Sequence, residues 1–339
     1  AIAGALRLQL AGALVKPHTA SLHAYNLYLR GRFCWNKRTE EGVRKGIEYF
    51  QQAIAIDPQY APAWSGVADS YSLLGQYGLA PARDALPPAK AAAAKALEID
   101  DTLAEAHTSF AYVRSLYEWQ WAEAEQHYRR AIELNPGYAN ARHWYGVDLL
   151  CPLGRLEEAG VQLELAQQLD PLSLIICVSA GFRHMVARDY DRAIEEYRRA
   201  LDLDPSFYKT YMGLGRVYLQ KGMHSEAIRL IQKGQSLSGG ALYTSGMLGE
   251  CYALSGRRVE AQELRGELIA LSSRRYVPAT TIALICIGLG EIDRAFEWLD
   301  KGCENREPPI THLKMHPAYD RLRSDPRFPA LLERVGLAG

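Results

Sequence analysis

The sequence predicts an all-α solenoid of about eight stacked helix pairs. Three observations carry this. Small residues recur in two series at a period close to 34 residues. A helix-stopping position follows each unit at a matching offset. The composition, 48% hydrophobic and 23% charged, is that of an ordinary globular chain, which excludes a disordered one. With 339 residues there is length for a long shared core.

The first series is Gly31, Ala68, Ala111, Gly146, Gly181, Gly215, Gly249 and Ala283, with successive spacings of 37, 43, 35, 35, 34, 34 and 34. The second is Gly46, Ala89, Ala124, Ala159, Ala193, Ala227, Ala261 and Ala295, and in the last four units it trails the first by 12 residues. Ala and Gly make up about 22% of the chain, so an unbroken run of small residues in both series is not chance. A third series follows seven beyond the second, from Ala53 to Gly302. Five further on come Pro58, Asp101, Pro136, Pro171, Pro205, Gly239, Ser273 and Glu307. The period holds two helices and two short turns. Small residues mark where antiparallel helices approach closely, and Pro ends the second helix. A single pair cannot bury its own apolar face, so stacked pairs share one core.

Departures from the period place insertions between the two helices of a unit. The first unit has about three extra residues around Trp35–Glu41, and the third and fourth have one each. The second has about nine around Gly78–Pro88, an enlarged turn holding Arg83 and Asp84. Tyr117–Trp121 packs three aromatics into the third unit's turn, which reads either as a hydrophobic plug or as an exposed contact site. At the ends, Ile2, Leu6, Leu10 and Leu14 predict a helix closed by Pro17, the tail of an upstream domain occupying 1–20. Ser324-Asp325-Pro326 starts a last helix, with Leu331, Leu332 and Val335 on one face, inside a cap over 311–339.

With these residues in frame, the array over 21–310 resembles the tetratricopeptide (TPR) repeat, whose pattern is W-x2-L-G-x2-Y…A-x3-F…P. Trp64, Val67, Ala68 and Tyr71 match its opening, as do Tyr211, Leu214, Gly215 and Tyr218. Gly181, Ala193, Tyr197, Ala200 and Pro205 follow it through a whole unit. The resemblance implies a right-handed α-α superhelix whose first helices line a concave face that grips peptides. The segments Ala24–Ala53 and His316–Phe328 resemble more narrowly the C-terminal TPR region of bacterial multidomain regulators. In those, the array follows a winged-helix, nucleotide cyclase or Ser/Thr kinase domain.

The 39 basic and 39 acidic side chains balance, which argues against a nucleic-acid binder or a polybasic membrane-surface protein. The longest apolar stretch, from Ala279 to Gly290, is too short to span a bilayer. Six cysteines without a C-x-x-C pair read as reduced, packed thiols in a cytoplasmic protein. Phosphate-loop, H-E-x-x-H and G-x-S-x-G motifs are absent. His312 and His316, four apart with Asp320 nearby, form at most a two-ligand face, and the expectation is no metal and no cofactor.

Carried onto this sequence, the TPR frame implies a peptide-binding groove of Asp69, Tyr112, His143, Val147, Phe182, Met212, Arg216 and Glu250. Phe182 and Tyr112 read equally as filling of the inner curve. The positions of the family's carboxylate clamp hold Ser65, Asp69, Thr108, Ser109 and Tyr112 without a Lys, so chaperone-tail binding is not expected. The expected function is a non-catalytic protein- or peptide-binding scaffold, the sensing module of a bacterial regulator. The alternatives are a stand-alone adaptor, and a small-ligand binder or enzyme using the groove. Stacking of solenoid ends would make a homo-oligomer.

Overall fold

A computed structural model describes residues 18–239 and 241–338. The helix expected over 1–14 and Pro17 lie outside them. The described chain forms eight antiparallel helix pairs: α1 Leu22–Asn36 with α2 Glu40–Ile56, α3 Ala61–Gln76 with α4 Ala82–Ile99, α5 Ala104–Leu116 with α6 Trp121–Leu134, α7 Ala139–Trp144 with α8 Leu156–Leu169, α9 Leu174–Val186 with α10 Tyr190–Leu203, α11 Tyr208–Gln220 with α12 His224–Leu237, α13 Leu242–Leu254 with α14 Arg258–Ser272, and α15 Ala279–Leu289 with α16 Ile292–Glu304. Two 3-10 turns and a short helix, α17 Phe328–Arg334, complete it. It is the all-α superhelix the period predicts.

The small-residue series do what their spacing requires. All eight residues of the second series are buried in second helices, and the first series lies buried in first helices. The tightest approaches are glycines clamping one ring from two sides. Phe50 lies between Gly31 and Gly66, and Tyr197 between Gly181 and Gly213. A Cβ on Gly213 would sit 2.3 Å from Tyr197 ring atoms. Gly213→Ala is therefore expected to destabilise by about 1–3 kcal/mol, although helix propensity alone favours Ala by about 1 kcal/mol. A raised unfolding midpoint for Gly213→Ala would refute the close packing, and Tyr197→Leu added to it should restore part of the loss.

The insertions are absorbed differently from the expectation. The second unit has no enlarged loop. Its turn is short, and the extra residues lengthen both helices, with Pro87 and Pro88 inside α4. The fourth unit's single extra residue is taken up as a π-helical stretch, Tyr145–Leu150, that continues α7.

The turn inside most pairs repeats one backbone state. The residue two before the second helix takes a positive φ: Arg38, Trp119, Gly154, Arg188, Gly222, Gly256 and Gly290. Glycine does this freely, whereas an L side chain there costs about 1–2 kcal/mol. The three that are not glycine each make a contact glycine could not. Trp119 stacks under the Arg306 guanidinium at 3.7 Å, Arg188 grips Asp320 through both carboxylate oxygens, and Arg38 faces the interior.

Two of those contacts close the superhelix on itself. The Trp121 indole N–H donates to the Val335 carbonyl at 2.8 Å, and Arg188 also donates to the Met315 carbonyl at 3.0 Å. The Tyr117–Trp121 turn thus works as a clasp: Trp119 and Trp121 pack against the C-terminal cluster of the same chain, while Tyr117 packs beside Ala82, Leu86 and Val113. The cap covers α16 through Arg334–Asp300 and Arg327–Asp293, and it runs back across the turns of units three to five. Its helix begins at Phe328, later than Ser324 suggests. At the other rim, Gly78 meets Pro278.

Candidate functional site

Closure turns the concave face into a cavity of about 580 Å3, within the usual size of small-molecule sites. Its wall draws on residues from Arg38 to His316, almost the length of the described chain. Of the residues the sequence singled out, His143, Val147, Phe182, Met212 and Arg216 line it. Asp69, Tyr112 and Glu250 lie buried in the wall behind it.

Those three already have internal roles. Asp69 accepts from Arg32 at 2.9 Å and from the Ser109 hydroxyl at 2.6 Å, joining α1, α3 and α5. Tyr112 packs on Trp144 with ring centroids 4.4 Å apart. Glu250 on α13 pairs with Arg216 on α11, both almost fully buried. The His143 Nε2 pairs with the Ser179 hydroxyl at 2.7 Å, and burial pushes its pKa down to about 3. Phe182 meets His312 edge-on at 5.2 Å, so the cap contributes to the cavity.

Sequence reasoning missed the groups that give the cavity its charge. Arg38 is 3% exposed, stacks on the Trp35 ring at 3.7 Å and lies beside the Tyr77 side chain. Lys209 holds its Nζ 3.4 Å from the centre of the Tyr77 ring. Among the described residues, no carboxylate lies within ion-pair distance of either cation. Burial, and then the charge of Arg38, lowers the Lys209 pKa to about 7. Arg38 had a legible signal, because it fills a slot that four other units give to glycine. Lys209 had none, since only the folded path of α11 brings it to Tyr77.

With Glu307, Asp148 is one of two buried acids of this wall. The π-helical stretch carries it there, and Gln76 donates to it at 3.2 Å. Burial raises its pKa to about 8, against the opposing pull of Arg38. Between about pH 4 and pH 8 the folded state then keeps a proton the unfolded chain has released, so stability falls as pH rises through that window. Asp148→Asn cannot ionise. Its stability advantage over the parent should grow from pH 5 to pH 8 in denaturant titrations, and an equal difference at both pH values would refute the assignment.

The cysteines fit packed thiols: all six are free, five are buried, and burial raises Cys151 and Cys251 to about 12. His316 caps a 3-10 turn by accepting from the Ala318 amide. Among the described residues no three His, Cys, Asp or Glu side chains gather at metal-binding distance, and no helix is long and apolar enough to cross a membrane.

The fold and the repeat define the class: a TPR superhelix. Residues 189–222 match the family model described as TPR repeat, and 208–239 match the one described as Tetratricopeptide repeat. The array is similar to Cut9 in the APC/C hetero-tetramer Cut9–Hcn1, with a TM-score of 0.56 at 16% identity over 84% of this chain and 50% of that one. It is similar also to the human IFIT1 dimer with PPP-AAAA, with a TM-score of 0.55 at 16% identity over 82% and 72%. Among curated relatives, Transcriptional regulator HilA of Salmonella typhimurium is 24% identical over 182 residues, 54% of this chain and 32% of that protein. Anaphase-promoting complex subunit 3 of Schizosaccharomyces pombe is 20% identical over 202 residues, 59% of this chain and 29% of that protein. The chain spans less than a third of the length of these two relatives.

Proposed function

We propose that this chain is a non-catalytic recognition module, the sensing arm of a larger bacterial transcription or signalling regulator. In this reading a ligand in the closed cavity biases how the array presents itself to a partner. The construction of the cavity carries it. One wall combines the first pair, the middle pairs and the cap, so an occupant touches both ends of the array at once. A ligand that favours the closed ring over an opened one shifts the population by its difference in affinity for the two.

Two further observations support a module inside something larger. The similarity to Transcriptional regulator HilA supports the regulator setting. Solenoid ends are normally polar, yet α1 exposes an apolar stripe of Leu22, Tyr25, Leu29 and Phe33, with Leu22 73% and Phe33 67% exposed. That stripe suits a neighbouring domain or a second copy.

The test is an output and partner-capture assay on the intact protein. Met212→Trp fills the cavity, and Phe182→Ala enlarges it. Both should change output while Tm stays within a few degrees. Unchanged output in both would sink the sensing role and leave the adaptor reading, in which only outer faces such as the α1 stripe matter.

A further inference from the structure

One permanent cation, Arg38, and an amine poised to become one, Lys209, whose pKa lies near 7, face one cavity without an anion between them. Arg38 comes from the first pair and Lys209 from the sixth, and both converge on Tyr77: one lies beside its side chain, the other over its ring. Holding like charges near each other in a partly dry site is costly unless an opposite charge joins them. The acids nearby do not supply it. Burial keeps Asp148 protonated at neutral pH. Glu307 is occupied by the amides of Ala279 and Thr280 and the Thr280 hydroxyl at the start of α15. Glu40 is exposed and paired with Arg44. Glu250 is taken by Arg216.

The backbone makes the same point. Arg38 stands where Gly154, Gly222, Gly256 and Gly290 stand in other units, with φ 56°. The two other non-glycine residues of this series hold the ring closed. Arg38 makes no such closing contact and places its guanidinium in the cavity wall instead.

We propose that the cavity binds a small organic carboxylate, its single negative charge seated between Arg38 and Lys209 beside Tyr77, and its apolar or aromatic body lying against Val178, Phe182 and Met212. The Arg38 guanidinium offers a carboxylate charge-assisted N–H donors, and the bound anion favours the protonated form of Lys209, whose ammonium completes the site. Asp148, neutral, adds a hydrogen-bond donor without repulsion. The volume suits one compact molecule, whereas an extended peptide needs a groove open at both ends, and here the cap and the Gly78–Pro278 contact restrict them. The proposal rests on the reading of the cavity as an input site.

The experiment is calorimetric titration of the whole chain with 4-phenylbutyrate and octanoate, beside the uncharged 4-phenylbutyramide and octanol, phenyl phosphate, and a tripeptide with a free C-terminus. The carboxylates should bind, with the neutral analogues weaker by about tenfold or more, the difference of one charge-assisted contact. Arg38→Gly is the decisive variant. It adopts the repeat's own turn residue, so Tm should hold or rise while carboxylate affinity falls by about tenfold or more. Lys209→Met should lose affinity likewise. Neutral analogues binding as well as acids, phenyl phosphate or the tripeptide binding more tightly than either carboxylate, or silence across the panel at millimolar concentration would each overturn the proposal. None of those results touches the output assay with Met212→Trp, so the input-site reading stands or falls separately.

Discussion

Replacing Arg216 by methionine is expected to destabilise the array by about 3–5 kcal/mol, the range for breaking a buried ion pair from one side. Arg216 and Glu250 are each only 2% exposed and lie one repeat apart, on the first helices of the sixth and seventh pairs. Alone, Glu250 would keep a carboxylate in a site from which water is excluded, or take up a proton as burial already urges it to. The reverse change, Glu250→Leu, strands the guanidinium, whose Nε and Nη2 already find no protein partner. The double variant Arg216→Met/Glu250→Leu should recover most of the loss, because two apolar side chains of similar volume need no partner. Equilibrium unfolding of the four proteins completes the cycle. Additive single losses would refute the coupling. Hydrogen exchange would locate the loss, since damage to a solenoid concentrates in the struck units and their neighbours.

Trp121→Ala should open the ring. The substitution removes a large ring packed against the C-terminal cluster and the indole donor to the Val335 carbonyl. The carbonyl can turn to water once the cap lifts, so the packing dominates, and about 2–4 kcal/mol of local stability is expected to go. The loss belongs to the closed state rather than to the repeats. Amides over 308–335 should exchange faster, while those of α9 to α12 keep their protection. A larger radius of gyration by X-ray scattering would accompany it. Arg188→Gly should act in the same direction with a smaller effect. It loses the bidentate grip on Asp320, an exposed pair of modest worth, and it relieves a strained turn. Exchange unchanged over the cap in Trp121→Ala would show that the closed ring does not depend on this clasp.

The repeat itself was legible because it is local. Whether a small residue recurs every 34 positions depends only on how two adjacent helices touch, and each unit repeats that contact. The buried second series, from Gly46 to Ala295, follows from that rule. Part of the cavity wall was legible for the same reason: His143, Val147, Phe182, Met212 and Arg216, five of the eight residues singled out, sit on the inner face of first helices in frame. Asp69, Tyr112 and Glu250 share the frame but point into contacts with neighbouring first helices, and a helix face alone does not distinguish groove from wall.

What the sequence determined by itself was therefore the α-helical repeat, its period and the small-residue contacts that stack it. Only the tertiary structure decided that the stack closes. Trp121 and Val335 are 214 residues apart, and Arg188 and Asp320 are 132. No periodicity encodes such pairs, because they depend on the curvature accumulated over the intervening units. The same accumulated turn brings Arg38 and Lys209 to one tyrosine. The chain's net charge of zero hides them, since charge balance over the whole sequence says nothing about which charges are left facing each other inside.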